Sequence, residues 1–402
     1  MASNNPSARL DFTCPESARA DGIALAALIR TVAVGDGAAL AGLRTASTEQ
    51  ENFDCFAAGQ QCLLVGEAAE AADRFGAVTA GAWHIAANVF RSLAALGARD
   101  LRQAYAIANA TRDGIEAARL AREPGYLPVR DLVMAALQAI IAAEAAYPPA
   151  GPVKLPTPFC YLISYPRSGS TALRVFLHFA FAAPRYSVYP GDGRYFSRRF
   201  HDPAPGHAVF VKDHEWRDEY AEDESLGLVR DGRNAILSYA RFLFIQGATR
   251  LIRCGELADF IGWTAGNPPL GFWGDHTRRL LEAHDYGAKL EILRYEDYVG
   301  DFGNLCGLAR QLAAGASTIC EDEAQYRALS ARHIGAATER WGQSVALPTD
   351  SFIPPDWAIG AEKIRWQDSF DAAGARRFHE LGGTEMLMRL GYETDDAWWR
   401  QF

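Results

Sequence analysis

The sequence has 402 residues, 49% of them hydrophobic, with a formal net charge of −9 and a pI near 5.6. That is enough chain for two globular domains and enough apolar content for substantial cores. The acidic balance excludes a protein whose whole surface grips nucleic acid or an anionic membrane, so an anionic ligand needs a local basic pocket.

Seven cysteines (14, 55, 62, 160, 254, 306 and 320) are odd in number and show neither CxxC pairs nor histidines at zinc spacing, which predicts reduced thiols and no metal site. The opening MASNNPSARLDFTCPESARA has neither the basic start nor the apolar run of a signal peptide. The nearest approach to a membrane span, Leu132 to Ala146, is short and carries Glu144. These features predict a cytoplasmic protein with no nucleic-acid partner and no integral membrane association.

From about residue 20 to 146 the chain is rich in Ala, Leu and Glu and nearly free of Pro, so an all-α N-terminal domain is expected over residues 1–147. Gly59, Ala71 and Phe75 fall at spacings that resemble one tetratricopeptide unit. The following period, near Leu93 and Asn109, matches poorly, and an irregular helical bundle is the alternative. This half is the candidate surface for a protein partner or for self-association. Five prolines between Pro148 and Pro158 then stop the helical pattern and mark residues 148–158 as a linker.

Residues 159–402 have another texture. Short apolar runs, Phe159 to Ser164, Ala208 to Val211, Leu226 to Val229 and Leu290 to Leu293, alternate with longer amphipathic segments. The alternation predicts a parallel sheet with crossover helices, whose ligands sit beyond the carboxyl ends of the strands.

FCYLISYPRSGSTALRVFLHF reads as a buried strand, a tight turn through Pro166 and Gly169, and a helix starting near Ser170. Backbone N–H groups at a helix start, with the hydroxyls of Ser168, Ser170 and Thr171, suit a phosphate, and Arg167 adds a fixed charge. A Ser-capped structural turn accounts for Gly169 and Ser170 but leaves Arg167 beside three hydroxyls unexplained. The triphosphatase pattern GxxxxGK[ST] is absent, which disfavours a magnesium-dependent ATPase or kinase.

Downstream, HAVFVKDHEW sets Lys212, Asp213 and His214 directly after an apolar strand. LGLVRDGRNAILSYARF puts Arg230 at a strand tip and Ser238 eight residues on, where guanidinium and hydroxyl can close on one anion.

YPRSGST resembles the 5′-phosphosulfate loop of the cytosolic-type sulfotransferases, usually YPKSGTT, with Arg167 in place of Lys. Ala172 stands where those enzymes commonly carry a Trp that stacks on adenine. Arg230 and Ser238 resemble the family's 3′-phosphate pair, which has the same separation. Lys212 to His214 resembles its KTH element, in which His is the catalytic base. GFWGDH (271–276) is similar to a G-x-W-x-x-H element, either a core anchor or a substrate contact. LEILRYEDYVGD resembles the strand and YED turn that follow, which implies that Tyr295 contacts the nucleotide. IRWQDSF keeps a W-x-x-x-F spacing at Trp366 and Phe370 without the expected RKG triplet, and Lys363 and Arg365 are the nearest basic replacements. The cytosolic dimer signature KxxxTVxxxE is missing.

The resemblance spans roughly Phe159 to Tyr392. It implies a three-layer, P-loop-like sulfotransferase domain using 3′-phosphoadenosine 5′-phosphosulfate as co-substrate, without a metal. His214 is then the base, Lys212 and Arg167 stabilise the leaving group, and residues 167–171, Arg230, Ser238, Tyr295, Lys363 and Arg365 hold the nucleotide. The acceptor is expected to be a small molecule, glycan or secondary metabolite, its pocket drawn from 184–206 and the aromatic stretch 242–273, in a GC-rich bacterial source. The rival readings are an ATP-dependent small-molecule kinase and a non-catalytic helical interaction protein with a degenerate nucleotide-binding half.

Overall fold

A computed structural model of the chain describes residues 55–56, 58–63, 66–78, 82–121, 126–146, 159–189, 192–200, 208–245, 256–267, 270–298, 300–313, 319–342 and 366–402. The linker 148–158, Lys363, Arg365, Cys14 and Cys254 lie outside these residues. The chain divides into two compact units, Met1–Val153 and Lys154–Phe402.

The described elements of the first unit are helical, and four of them are long enough to number: α1 (Ala68–Gly76), α2 (Ala82–Gly97), α3 (Leu101–Ala121) and α4 (Tyr126–Ala146). The rings of Phe56, Phe75 and Phe90 pack together with centroids 5.2–5.6 Å apart. A Cβ at Gly59 would lie 2.7 Å from the Phe75 ring, so the close approach there depends on glycine. Ala71 is fully buried, as are Leu93 and Asn109 farther along. The turn between α2 and α3 runs through Arg99 at φ +64°, and Asp100 caps α3 by accepting from Gln103 N–H at 3.0 Å.

The second unit is α/β. Its six strands are β1 (Phe159–Ser164), β2 (Arg185–Ser187), β3 (Arg194–Tyr195), β4 (Val209–Asp213), β5 (Glu224–Val229) and β6 (Leu290–Arg294). They form one sheet in the order β3-β2-β4-β1-β5-β6, and every pairing is parallel. The four apolar runs in the sequence thus become β1, β4, β5 and β6, with ends shifted by at most two residues. Strands β2 and β3 arise within 184–206, the segment expected to line the acceptor pocket; at three and two residues they carry too little pattern to read.

Side-chain alternation puts helices on both faces, because strands buried on both sides must be covered on both. Tyr161, Ile163, Val209 and Val211 face one core with α6 (Gly232–Ile245), α7 (Leu257–Ala265), α8 (Trp273–Asp285), α12 (Ala372–Glu380) and α13 (Gly383–Arg389). Cys160, Leu162, Phe210, Leu226 and Leu228 face the other with α5 (Ser170–Phe181), α9 (Tyr295–Tyr298), α10 (Phe302–Ala313) and α11 (Glu323–Gly342).

Trp366 and Phe370 are core residues. The Arg233 guanidinium lies over Trp366 at 3.7 Å and Trp398 at 4.8 Å, grips both Asp231 oxygens at 2.7–3.0 Å, and pairs with Glu393. The aromatic C-terminus therefore anchors the turn that carries Arg230.

From β1 the chain turns toward β2 on one side, and from β5 toward β6 on the other, which opens a crevice at the carboxyl ends of these neighbours. Among the described residues no helix is long and apolar enough to cross a membrane, and no cluster of three or more His, Cys, Asp or Glu is arranged to hold a metal ion.

Candidate active site

The loop after β1 is shaped by backbone conformation. Arg167 (φ +69°) and Gly169 (φ +95°) are both left-handed, and Ser168 N–H closes the turn on the Tyr165 carbonyl at 3.2 Å. A Cβ on residue 169 would sit 2.3 Å from the Tyr295 ring, so only glycine fits. A left-handed arginine is a strain of about 1 kcal/mol, which marks the loop as a place where geometry outranks stability. Helix α5 begins at Ser170, and its first turn leaves backbone N–H groups outside its own ladder. Ser168 is fully buried, yet its hydroxyl finds no hydrogen-bond partner among the described residues. Ser170 is buried, and Thr171 and Ala172 are exposed.

Two guanidiniums converge on this loop. Arg167 Nε donates to Ser238 Oγ at 3.2 Å, and its guanidinium lies 5.3 Å from the Phe242 ring centre. Arg230 donates to the Arg167 carbonyl at 3.1 Å and stacks over Tyr295 at 4.5 Å. Among the described residues no carboxylate forms an ion pair with either. The acids nearby are committed elsewhere, Asp231 to Arg233, and Glu296 to the Asp231 N–H and the Tyr392 hydroxyl. Burial first, and the like charge of Arg230 second, pull the Arg167 guanidinium down to about 10. The Tyr298 hydroxyl, 3.2 Å from where a Cβ on residue 169 would stand, is also buried without a partner among the described residues.

The adjacent strand β4 contributes the next group. Lys212, 6% exposed, pairs with Asp192, and burial pushes its ammonium below the usual lysine value. His214 follows the strand end. Its Nδ1 lies 2.7 Å from the Ser164 carbonyl, which can only accept, so Nδ1 carries the proton and Nε2 keeps a lone pair. Burial, then the charge of Lys212, lowers the imidazole to about 3, so it is neutral near pH 7.

The His214 peptide is held from both sides. Its N–H donates to Asp213 Oδ1 at 2.6 Å, and its carbonyl accepts from His276 Nε2 at 2.7 Å. Asp213 is fully buried and also accepts from the Tyr189 hydroxyl (2.9 Å), the Tyr220 hydroxyl (2.6 Å), Arg217 Nε (3.0 Å) and Glu215 N–H (3.0 Å). Burial lowers His276 to about 4. GFWGDH therefore supplies a core anchor, Trp273, stacked on Phe378 at 5.8 Å, and a backbone donor, His276.

The sequence-derived residues 167–171, Lys212, His214, Arg230, Ser238 and Tyr295 all lie at or just beyond the carboxyl ends of β1, β4, β5 and β6. Ser238 sits on Arg167, whereas the spacing had joined it to Arg230. Asp213, which stood in the sequence between Lys212 and His214 without a role, is the carboxylate that holds the His214 peptide. Residues that sequence reasoning missed are Tyr189, Asp192, Arg174 and Tyr298, whose placement depends on long-range contacts. Neither a protein-family model nor a curated protein matches this chain, so the functional reading rests on its residues.

Proposed function

We propose that the α/β unit is a sulfotransferase moving a sulfuryl group from 3′-phosphoadenosine 5′-phosphosulfate to a hydroxyl or amine of a small-molecule, glycan or secondary-metabolite acceptor. The observation that carries the reading is the pair of guanidiniums, Arg167 and Arg230, beside the buried Ser168 hydroxyl, the guanidiniums without an ion-paired carboxylate and the hydroxyl without a partner among the described residues. Polar groups left uncompensated in a folded interior call for a ligand of opposite character.

The donor set is all cationic or hydroxylic, which fits phosphate oxygens and not a cation. Arg167, the N–H groups at the start of α5, Ser168 and Thr171 would hold the 5′ end. Arg230, supported by Tyr295, would hold a second phosphate.

The nucleotide supplies the sulfuryl group and a stable bisphosphate leaving group. His214 Nε2 takes the proton from the acceptor as the acceptor's oxygen or nitrogen bonds to sulfur. The electron pair of the broken sulfur–oxygen bond stays on the 5′-phosphate, where Lys212 and Arg167 bear the charge. The Ser164 carbonyl keeps the imidazole in its Nδ1–H tautomer and leaves Nε2 for the acceptor, while Asp213 and His276 hold the His214 peptide in place.

The test is calorimetric titration with adenosine 3′,5′-bisphosphate, followed by a transfer assay with labelled donor and extracts of the producing organism. Binding without magnesium is expected, and His214→Ala should keep binding while losing roughly 100- to 10,000-fold in turnover. Magnesium-dependent ATP binding with no bisphosphate binding would replace this reading with a kinase.

A further inference from the structure

The pair between Lys212 and Asp192 differs from the other buried ion pair of this unit. Arg233 and Asp231 bury both ends, with side chains 2% and 9% exposed, and lock by two parallel contacts. Lys212 and Asp192 bury only the cation: the lysine side chain is 7% exposed and the aspartate 42%. A buried ammonium needs an anion at all times, whereas a half-exposed carboxylate can turn to water at little cost.

The loop bearing Asp192 is seated by its backbone. Arg174, buried on α5, donates to the carbonyls of Tyr186 (3.2 Å) and Asp192 (2.5 Å). Gly193 at φ +144° lets the chain pass where a Cβ would lie 2.4 Å from the Arg185 carbonyl oxygen and 2.8 Å from Arg174. The Asp192 peptide is thus held by Arg174 through its carbonyl, independently of the carboxylate's contact with Lys212. Its target stands among the catalytic groups, since Lys212 pairs in register with Leu162 of β1, lies two residues before His214, and feels the charge of Arg167.

We propose that Asp192 is the resting counter-ion of Lys212, occupying the place of an anionic oxygen on the sulfuryl-bearing side of the donor, and that the pair opens when donor binds. The inference rests on the sulfotransferase reading. Asp192 then acts as a selectivity element: only a ligand bringing its own anion to Lys212 displaces it, so the carboxylate weighs against the sulfated donor at the moment of binding. Adenosine 3′,5′-bisphosphate brings only the 5′-phosphate that Lys212 shares with Arg167 and no sulfuryl oxygen, so it opens the pair less.

The experiment compares dissociation constants of the full-length chain for 3′-phosphoadenosine 5′-phosphosulfate and adenosine 3′,5′-bisphosphate, native and Asp192→Asn, without acceptor. The variant should tighten the sulfated nucleotide by about tenfold relative to the unsulfated one, the order expected for removing one like charge at contact. In a Lys212→Gln background the same change should lose most of that differential. Asp192→Ser removes the charge and keeps the peptide groups held by Arg174, and gives the same comparison if the Asn variant does not fold. Equal shifts for both nucleotides, or none, would overturn the inference and make the pair structural. Failure of the native chain to bind either nucleotide would overturn the donor reading itself.

Discussion

Arg230→Gln separates what the guanidinium pair does for folding from what it does for binding. The fall of the Arg167 guanidinium from 12.5 to about 10 corresponds to roughly 3 kcal/mol, with burial the larger cause and Arg230 the second. Relief of the Arg230 repulsion is therefore worth about 1 kcal/mol. Against it stand the hydrogen bond to the Arg167 carbonyl, about 1–2 kcal/mol, and the stacking on Tyr295, about 1 kcal/mol. The net cost is about 1–2 kcal/mol, or a melting point lower by roughly 2–8 °C for a unit of this size. Binding has no such compensation: loss of a guanidinium on a phosphate is expected to weaken adenosine 3′,5′-bisphosphate about 100-fold. Ligand at 100 times its Kd stabilises by about 2.7 kcal/mol, so the native protein should melt roughly 5–10 °C higher with ligand, and the variant, then at about its own Kd and stabilised by about 0.4 kcal/mol, only about 1–2 °C higher. Scanning fluorimetry reads both. A variant that keeps the ligand-dependent rise, or that loses more than about 10 °C without ligand, would refute the assignment of Arg230 to an anion site.

Gly169→Ala should cost about 1–3 kcal/mol and abolish bisphosphate binding, because φ +95° and a 2.3 Å overlap with Tyr295 force the loop to move; a melt and a titration check it. Acid should destabilise the protein from roughly pH 6.5 downward. There the unfolded histidines bind protons that His276 (about 4) and His214 (about 3) refuse, so stability falls until those folded values are reached, by up to about 3 kcal/mol for His276 at pH 4. His276→Gln, which keeps a donor without titrating, should flatten that limb in denaturant titrations across pH. In the helical unit Phe75→Ala should cost about 3–5 kcal/mol through the cavity left between Phe56 and Phe90, read from its own unfolding transition.

The parts of this molecule legible in the sequence are those set by local pattern. The runs that became β1, β4 and β5 are continuous and apolar because both their faces are covered, whereas the edge strand β6 carries the exposed Glu291; each ends where the polar site residues begin. Ser170 was readable as a helix start from the glycine and hydroxyls around it. What stayed hidden depends on tertiary contact. Strands β2 and β3 exist because the β4 edge recruits them. Ser238 is on the expected helix, yet its partner is Arg167, since helical spacing fixes a residue's height on the helix and not the reach of a long side chain from another strand. Asp192 looked like one polar residue in a loop; only the Arg174 and Gly193 contacts bring it to Lys212.

The distribution of unsatisfied chemistry is itself an argument about function. This chain is able to satisfy a buried arginine fully: Arg233 has two carboxylates and two indole faces. It can also satisfy a buried carboxylate, since Asp213 collects five donors. A few residues away, at the tips of β1 and β5, it tolerates a left-handed arginine and, among the described residues, two guanidiniums without an ion-paired carboxylate and a buried hydroxyl with no partner. What sets this edge of the sheet apart is the combination: these features stand beside a histidine whose free nitrogen is fixed by its other hydrogen bond, which is the arrangement the proposed binding and transfer site requires. On that proposal, the stability given up there is recovered when an anion arrives.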